Sequence, residues 1–455
     1  MPAVLWFRRD LRLADLPALL AAAEGDGEVL ACYILDPTLK ASSGQRRLQY
    51  LYDALRDLQG SLGGRLLVTR GDARSVIPKL AKSIGASSVH ISEEHLPYGR
   101  RRDDAVREAL RGKGKSGDAG ESGGVDLIAT GSPYLVSPGR VTKGDGTPYK
   151  VFTPFYDAWR KHGWRKPAES GKKSARWIDP DDVKGARAVE IPDLGVELDR
   201  PAGESGAREQ WAEFVEDGLA DYSDDRNRPD LDGTSRMSAH LKFGTIHPRT
   251  LAADLGRGTG AQAYLRELAF RDFYASVVDE WPRSTWWNWN TAFDAIEVDD
   301  GREAKKSFEV WKAGKTGFPI VDAGMRQLAE TGFMHNRVRM IVASFLVKDL
   351  HLPWQWGARW FLDQLVDGDM ANNQHGWQWA AGCGTDAAPY FRVFNPTTQG
   401  KKFDPSGAYV KRWVPELRDV DDVHNLDRDR PDDYPQPIVD HKQEREEALR
   451  RYNAL

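Results

Sequence analysis

The feature that most constrains this chain is a change of hydrophobic period near residue 206. In the first 130 residues, short apolar runs alternate with helical patterns. VLWF (4–7), VLACYIL (29–35), RLLVT (65–69), SVHIS (88–92) and VDLIA (125–129) read as buried strands bounded by turns. Between them, 46–59, 73–83 and 100–111 carry apolar residues at helical spacing. Repeated βαβ units predict a doubly wound parallel sheet with right-handed crossovers, an α/β unit over 1–130. Beyond 206 the 3.6 period dominates, as in AQAYLRELAFRDFYASVV and NRVRMIVASFLVKDL, and alternation nearly vanishes. Residues 206–455 are therefore predicted to be all-α, with loops such as 222–234 and 364–377. The stretch 131–205 is rich in Pro, Gly, Lys and Asp and reads as a connector. Within it YKVFTPF (149–155) is aromatic enough to dock on a domain.

Composition narrows the function classes. A length of 455 residues allows two or three domains with ample core. Lys+Arg 64 against Asp+Glu 68 gives a net charge of −4, so wholesale electrostatic wrapping of nucleic acid is not indicated, although that balance is compatible with a local basic face. Cys32 and Cys383 give no disulfide framework and no metal-ligand spacing, which points to a reducing interior. The N-terminus MPAVLWFRRD lacks the apolar stretch of a signal peptide, and no run reaches membrane-span length. The expectation is a soluble cytoplasmic protein without metal. One GxGxxG, Gly112 to Gly117, sits in the low-complexity segment GKGKSGDAGESGG. No strand precedes it and no helix follows, so it is a decoy and no Rossmann-type nucleotide site is visible.

Chemistry concentrates in the C-terminal half. DGDMANNQHGWQW (367–379) sets Asp367 and Asp369 beside the amides of Asn372 and Asn373 and the rings of Trp377 and Trp379. Paired carboxylates can serve as acid and base or as a metal site. The surrounding rings and amides favour hydrogen bonding to a planar heteroaromatic ligand. GTSRMSAH (233–240) places hydroxyls and Arg236 at a helix start, a pattern that suits phosphate or simply an ordinary cap. ELAFRDFY (267–274) puts Glu267, Arg271 and Tyr274 on one helical face. In MHNRVRM (334–340), Asn336 and Met340 share a face while Arg337 and Arg339 diverge. One arginine can then meet an internal acid or phosphate and the other an outer anion. NPTTQGKKFD and YVKRW interleave Lys401, Lys402, Lys411 and Arg412 with rings, which suits either a nucleic-acid backbone or a solvated face.

Taken together these segments resemble the DNA photolyase/cryptochrome family, most closely the class I cyclobutane pyrimidine dimer photolyases. The matching motifs run in order from VLWFRRDLRL through YKVFTPF, GTSRMSAHLKFG and TGFMHNRVRMIVASFLVKDL to GWQWAAGCGTDAAPYFRVFNPTTQGKKFD. The resemblance implies non-covalent FAD in the helical unit and light-driven electron transfer from excited reduced FAD to a thymine dimer flipped out of DNA. By matched position, Tyr222, Thr234, Ser235, Arg236, Met237 and Ser238 are expected around the phosphates and ribityl chain, with Tyr264 where relatives often have Trp. Glu267, Arg271, Tyr274, Asn336, Arg339, Asp367, Gly368, Asp369 and Asn373 are expected to line the flavin region. The amide of Asn373 matches the residue beside flavin N5. Glu267, Asn336 and Met340 are expected to contact the dimer, Trp379 to stack on it, and Arg337, Arg392 and Lys401 to hold phosphates.

Two departures stand out. The family feeds electrons to its flavin through three tryptophans. Trp377 and Trp354 match the inner two, but the outer position falls at Gly301, so the path ends early or uses another ring such as Trp356 or Trp360. Phe270 replaces a Trp that usually stacks on the dimer, keeping a ring but losing area. Family members add an antenna, either a methenyltetrahydrofolate or an 8-hydroxy-5-deazaflavin. LKFG (241–244) and PYGRRRD (97–103) are closer to deazaflavin users, with Arg47, Glu94 and Lys242 as contacts. A cryptochrome-like photoreceptor without repair activity is the alternative. Retained Glu267, Met340, Asn373 and Trp379 favour repair of dimer-containing DNA by a monomer.

Overall fold

Apolar pairing at the N-terminus builds a six-stranded sheet in which every pairing is parallel. The computed structural model describes residues 1–24, 27–111, 124–169, 175–385, 391–426 and 429–455. The GxGxxG at 112–117 lies outside them. Strands β1 (Ala3–Phe7), β2 (Glu28–Leu35), β3 (Leu66–Arg70), β4 (Ser88–Ile91) and β5 (Asp126–Ala129) run in the order β3-β2-β1-β4-β5, with β6 (Arg176–Trp177) beside the start of β2. All five residues of β1 are buried because both faces are covered. Leu5 and Phe7 face one apolar layer with Tyr50 and Leu55, while Val4 and Trp6 face another with Ile77 and Val106. Those layers are supplied by helices α1 (Pro17–Ala22), α3 (Gln45–Ser61), α4 (Ala73–Ser83) and α5 (Pro97–Arg111), while the short α2 (Pro37–Ala41) is exposed throughout.

Two expectations need correction here. β5, read as a buried strand, is mostly exposed, because it is the last strand on its side of the sheet. The stretch 131–205 is not irregular throughout. It holds α6 (Phe152–His162) and contributes β6 to the sheet. The segment around YKVFTPF does dock, with Phe152, Phe155 and Trp159 buried against Ala269, Phe273 and Val277.

The helical part comprises α7 (Gly203–Asp217), α8 (Tyr222–Asp225), α9 (Ser238–Phe243), α10 (Pro248–Asp254), α11 (Thr259–Glu280), α12 (Arg302–Lys312) and α13 (Pro319–Thr331). It continues with α14 (Asn336–Lys348), α15 (Trp354–Gln364), α16 (Met370–Ala381), α17 (Pro396–Phe403), α18 (Ala408–Trp413) and α19 (His441–Asn453). Local signals set the ends. α13 begins with Pro319 and stops at Gly332 (φ +68°), and α16 is capped by Asp369, whose side chain accepts from the Asn372 N–H. The expected loop 364–377 is therefore short, since the Asp369 cap starts a helix that carries Asn372, Asn373 and Trp377. Likewise α8 lies inside the expected loop 222–234.

α11 is central and is buried on most sides, Leu268, Ala269, Asp272, Phe273 and Ala275 all being inaccessible. Asp272 has one carboxylate oxygen for the Leu135 N–H (3.3 Å) and the other for the Val136 N–H (2.8 Å) and Trp159 Nε1 (3.0 Å), which ties the connector to this helix. The end of β1 meets the helical part through Leu11 N–H to Phe243 O (3.2 Å) and Arg12 to Gly244 O (3.0 Å). Gly244 (φ +67°) must be glycine, because an added Cβ would lie 1.9 Å from Arg9 O. Among the described residues, no helix is long and apolar enough to cross a membrane.

Asp272→Ala would strand three buried N–H donors, so chemical denaturation should register a loss of about 2–4 kcal/mol.

Candidate functional site

Parallel sheets open a crevice beyond the carboxyl ends of their strands where the strand order reverses. Here the order reverses at β1, and the crevice becomes a cavity of about 1070 Å³ between the sheet and the helical part. Residues ending β1 (Arg8, Arg9), β2 (Leu35, Asp36) and β4 (Glu94) line one side, and Arg283, Trp286, Trp287 and Arg359 the other. Arg47, Glu94 and Lys242 all line it. Nine Lys and Arg face it against three carboxylates, Asp36, Glu94 and Asp363. Arg9 Nη1 and Arg47 Nε are buried without hydrogen-bond partners among the described residues. Burial would raise the Glu94 pKa, but Arg9 and Arg102 outweigh it and hold the carboxyl at about 2. Burial, reinforced by Arg9, lowers Lys242 to about 8, and burial lowers Arg47 to about 10.

The loop 367–369 separates this cavity from the helical interior. Asp369 caps α16 with Oδ1 and accepts Arg9 Nη2 on Oδ2 at 2.9 Å. Burial opposes ionisation of Asp369, yet Arg9, Lys242 and Arg271 hold its carboxyl well below the usual range. Gly368 gives its carbonyl to Arg47 (3.5 Å), and an added Cβ would come within 2.2 Å of Arg47 Nη1. Asp367 takes Arg339 on Oδ2 at 2.9 Å, while its Oδ1 is buried with no partner among the described residues. Arg339 thus meets the internal acid and Arg337 diverges, as the spacing predicts. Arg337 reaches Asn227 (2.5 Å), touches Met340 Sδ (3.6 Å) and lies over Phe403. On α16 the Asn373 amide nitrogen donates to Ala358 O (3.0 Å) and Gln374 Oε1 (2.7 Å), which leaves its carbonyl as an acceptor.

The GTSRMSAH turn lies close to this carboxylate. Arg236, Ser238, Gly332, Phe333 and Asp367 line one small cleft. Arg236 (φ +56°) pairs with Asp199 and stacks on Phe333 at 3.4 Å. Ser235 Oγ hydrogen-bonds Tyr264 Oη (2.9 Å), and the Met237 N–H donates to that Oγ (3.3 Å). Tyr264 and Tyr222 pack with Trp211 and Phe214. Thr234 is half-buried beside them in sequence. The shared face of Glu267, Arg271 and Tyr274 divides in space. Glu267 pairs with Arg226 at 2.8 Å, and partial burial raises its pKa despite that partner. Arg271 is committed to the carbonyls of Pro133 (2.7 Å) and Leu241 (3.0 Å), and Tyr274 stacks on His375.

The remaining expected residues are distributed over several elements. Trp379, Arg392 and Lys348 line one cleft, where Lys348 Nζ binds Arg392 O. Asn336 is exposed at the first turn of α14, and Lys401 is exposed on α17, the helix whose Phe403 carries Arg337. Trp377 and Trp354 are buried, Trp354 donating to Asn288 Oδ1 at 2.8 Å. Cys32 and Cys383 are free and buried, and burial pushes the Cys383 thiol up to about 12. Among the described residues no group of three His, Cys, Asp or Glu is placed to hold a metal.

Sequence patterns did not single out Arg9, Arg226 or Asp199. The signal for Arg9 was present in its position, one of two arginines directly after the strand at which the sheet order reverses.

Residues 3–172 match the family model described as DNA photolyase, and residues 264–454 match the FAD binding domain of DNA photolyase. The chain is 39% identical to the deoxyribodipyrimidine photo-lyase of Streptomyces griseus, over 96% of this chain and 96% of that one. It is similar to the crystal structure of a class III photolyase from Agrobacterium tumefaciens (TM-score 0.89, 36% identity, covering 100% of this chain and 97% of the other). It is also similar to an archaeal photolyase from Sulfolobus tokodaii holding two FAD molecules (TM-score 0.83, 30% identity, all of both chains).

Removing one partner of a buried ion pair costs on the order of 3–5 kcal/mol, so Arg9→Ala should destabilise the protein by about that amount in a denaturant titration. In the wild type, Glu94 ionises more readily folded (about 2) than unfolded (4.5), so its stabilisation holds above pH 4.5 and is lost as pH falls towards 2. The acid limb of the stability curve should flatten in the variant.

Proposed function

The chain belongs to the DNA photolyase family, and we infer from that premise that it is a carbon–carbon lyase that repairs cyclobutane pyrimidine dimers in DNA. When bound, FAD supplies a photoexcitable one-electron donor. The observation that carries the cofactor assignment is Asp367, whose Oδ1 is buried without a partner among the described residues while Arg339 holds Oδ2. A buried acceptor of this kind calls for a donor, and a flavin ring N–H provides one. In this reading Arg339, Arg271 and Asp369 fix the charge around the ring, with Gly368, Asn336 and Tyr274 beside them. Asn373 would help hold the ring, its amide nitrogen being used on Ala358 O and Gln374 Oε1 and its carbonyl left to accept a donor. Tyr222, Thr234, Ser235, Arg236, Met237, Ser238 and Tyr264 hold the phosphate and ribityl end.

On the substrate side, the partly exposed Glu267 carboxyl, its pKa raised by partial burial, is suited to sharing a proton with a pyrimidine carbonyl, and its Arg226 partner supplies the compensating charge. Trp379 and Met340 offer an apolar wall for the flipped dimer, and Arg337, Arg392 and Lys401 take the flanking phosphates. Trp377 and Trp354 carry electrons. The chain divides functionally into an antenna unit (1–130), a connector (131–205) and an FAD- and DNA-binding unit (206–455), acting as a cytoplasmic monomer. We assign the large interdomain cavity to the antenna and favour 8-hydroxy-5-deazaflavin, because nine cations against three carboxylates suit an acidic chromophore.

Illuminating the reduced protein with DNA containing thymine dimers should restore intact thymines, and a lack of recovery in the light overturns the repair reading. Lys242→Ala should weaken retention of the deazaflavin about tenfold, read as loss of its absorption band after gel filtration, since one charge contact contributes about 1–2 kcal/mol.

A further inference from the structure

We propose that electrons reach Trp377 from the surface through Trp311 and Trp356, a route that branches away from Trp354 and needs no ring at Gly301. It rests on the flavin reading above. Trp377 makes ring contacts with Trp311 at 6.1 Å and with Phe361 at 5.0 Å. Trp311, on α12, is completely buried and so cannot meet a soluble reductant itself. Phe308 stacks on it at 5.7 Å and lies 5.4 Å from Trp356 on α15, which is half-buried. These rings form a contiguous path outward. Phenylalanine is too hard to oxidise to hold the charge, so Phe308 is a bridge and the two indoles are the resting places. Gly301, at the N-cap of α12, has nothing within 4 Å of an added Cβ and contributes no ring.

Local charge selects the outlet. An oxidised indole carries a positive charge, and a cation over its ring raises its energy by Coulomb repulsion. Trp360 has Lys312 at 4.7 Å, Trp286 has Arg359 at 5.0 Å and Trp287 has Arg283 at 4.9 Å. Among the described residues no cation stands over Trp356. Trp377 gives one electron to photoexcited oxidised flavin and is refilled by Trp311, which is refilled by Trp356. Oxidised Trp356 releases its indole N–H proton to water. One electron and one proton from a soluble thiol then restore it, leaving a thiyl radical that pairs to a disulfide.

The test is blue-light photoreduction of the FAD-containing protein with a thiol, followed by loss of oxidised-flavin absorbance. Trp356→Phe and Trp311→Phe should slow it about tenfold or more, and Trp360→Phe by less than about twofold. Trp356 is at the surface, so its variant keeps the test valid if Trp311→Phe fails to fold. In parallel, the wild type is irradiated without thiol and its oxidised tryptophans are mapped by peptide mass spectrometry, where the modification should fall on Trp356. Wild-type rates in both variants, or modification at Trp287 instead, overturn the route while leaving the flavin reading intact. Absence of flavin from the wild-type protein overturns both.

Discussion

The arrangement hangs on one ion pair between residues 360 positions apart in sequence, Arg9 Nη2 to Asp369 Oδ2 at 2.9 Å. Arg9 stands just beyond β1, where the sheet order reverses, and Asp369 starts α16. Through this contact the α/β unit fixes the first turn of the helix that carries Asn373, Trp377 and Trp379. The pair is buried, so its ionised state depends on neighbours. Arg9, Lys242 and Arg271 supply the field that keeps Asp369 charged against its burial.

The same contact explains how two sites share a wall. The loop 367–369 presents Gly368 to Arg47 and the large cavity, and turns Asp367 towards Arg339 and the helical interior. A side chain at 368 would collide with Arg47. The two compartments are thus separated by the thickness of a backbone. α11 closes the assembly from the other side, since Asp272 and Arg271 gather the connector segment 133–136 onto it.

Much of this was legible in the residues. The five apolar runs became five strands because each is bounded by turn residues and flanked by helical spacing. The capping residue Asp369 was also in plain view, but Asp, Asn and Gly in quick succession read as a loop, and the helix 370–381 was missed. β5 was misjudged because an apolar run at a sheet edge has the same local pattern as one at the centre. In MHNRVRM, helical geometry alone separates Arg337 from Arg339, and the structure supplies their partners, Asn227 and Asp367. For ELAFRDFY the shared face was correct as geometry, but packing gave Glu267, Arg271 and Tyr274 three different surroundings.

By itself the sequence determined the fold class, the switch from sheet to helices, the family, and which short segments hold chemistry, because these depend on local period and on ordered motifs. Only the tertiary structure decided which charges meet. It placed Arg9 on Asp369, left Asp367 Oδ1 without a partner among the described residues, gathered nine cations around one cavity, and set Trp311 and Trp356 in line with Trp377. Such pairings join residues tens to hundreds of positions apart. No local pattern encodes them, since they arise only when separate helices and strands pack into one interior.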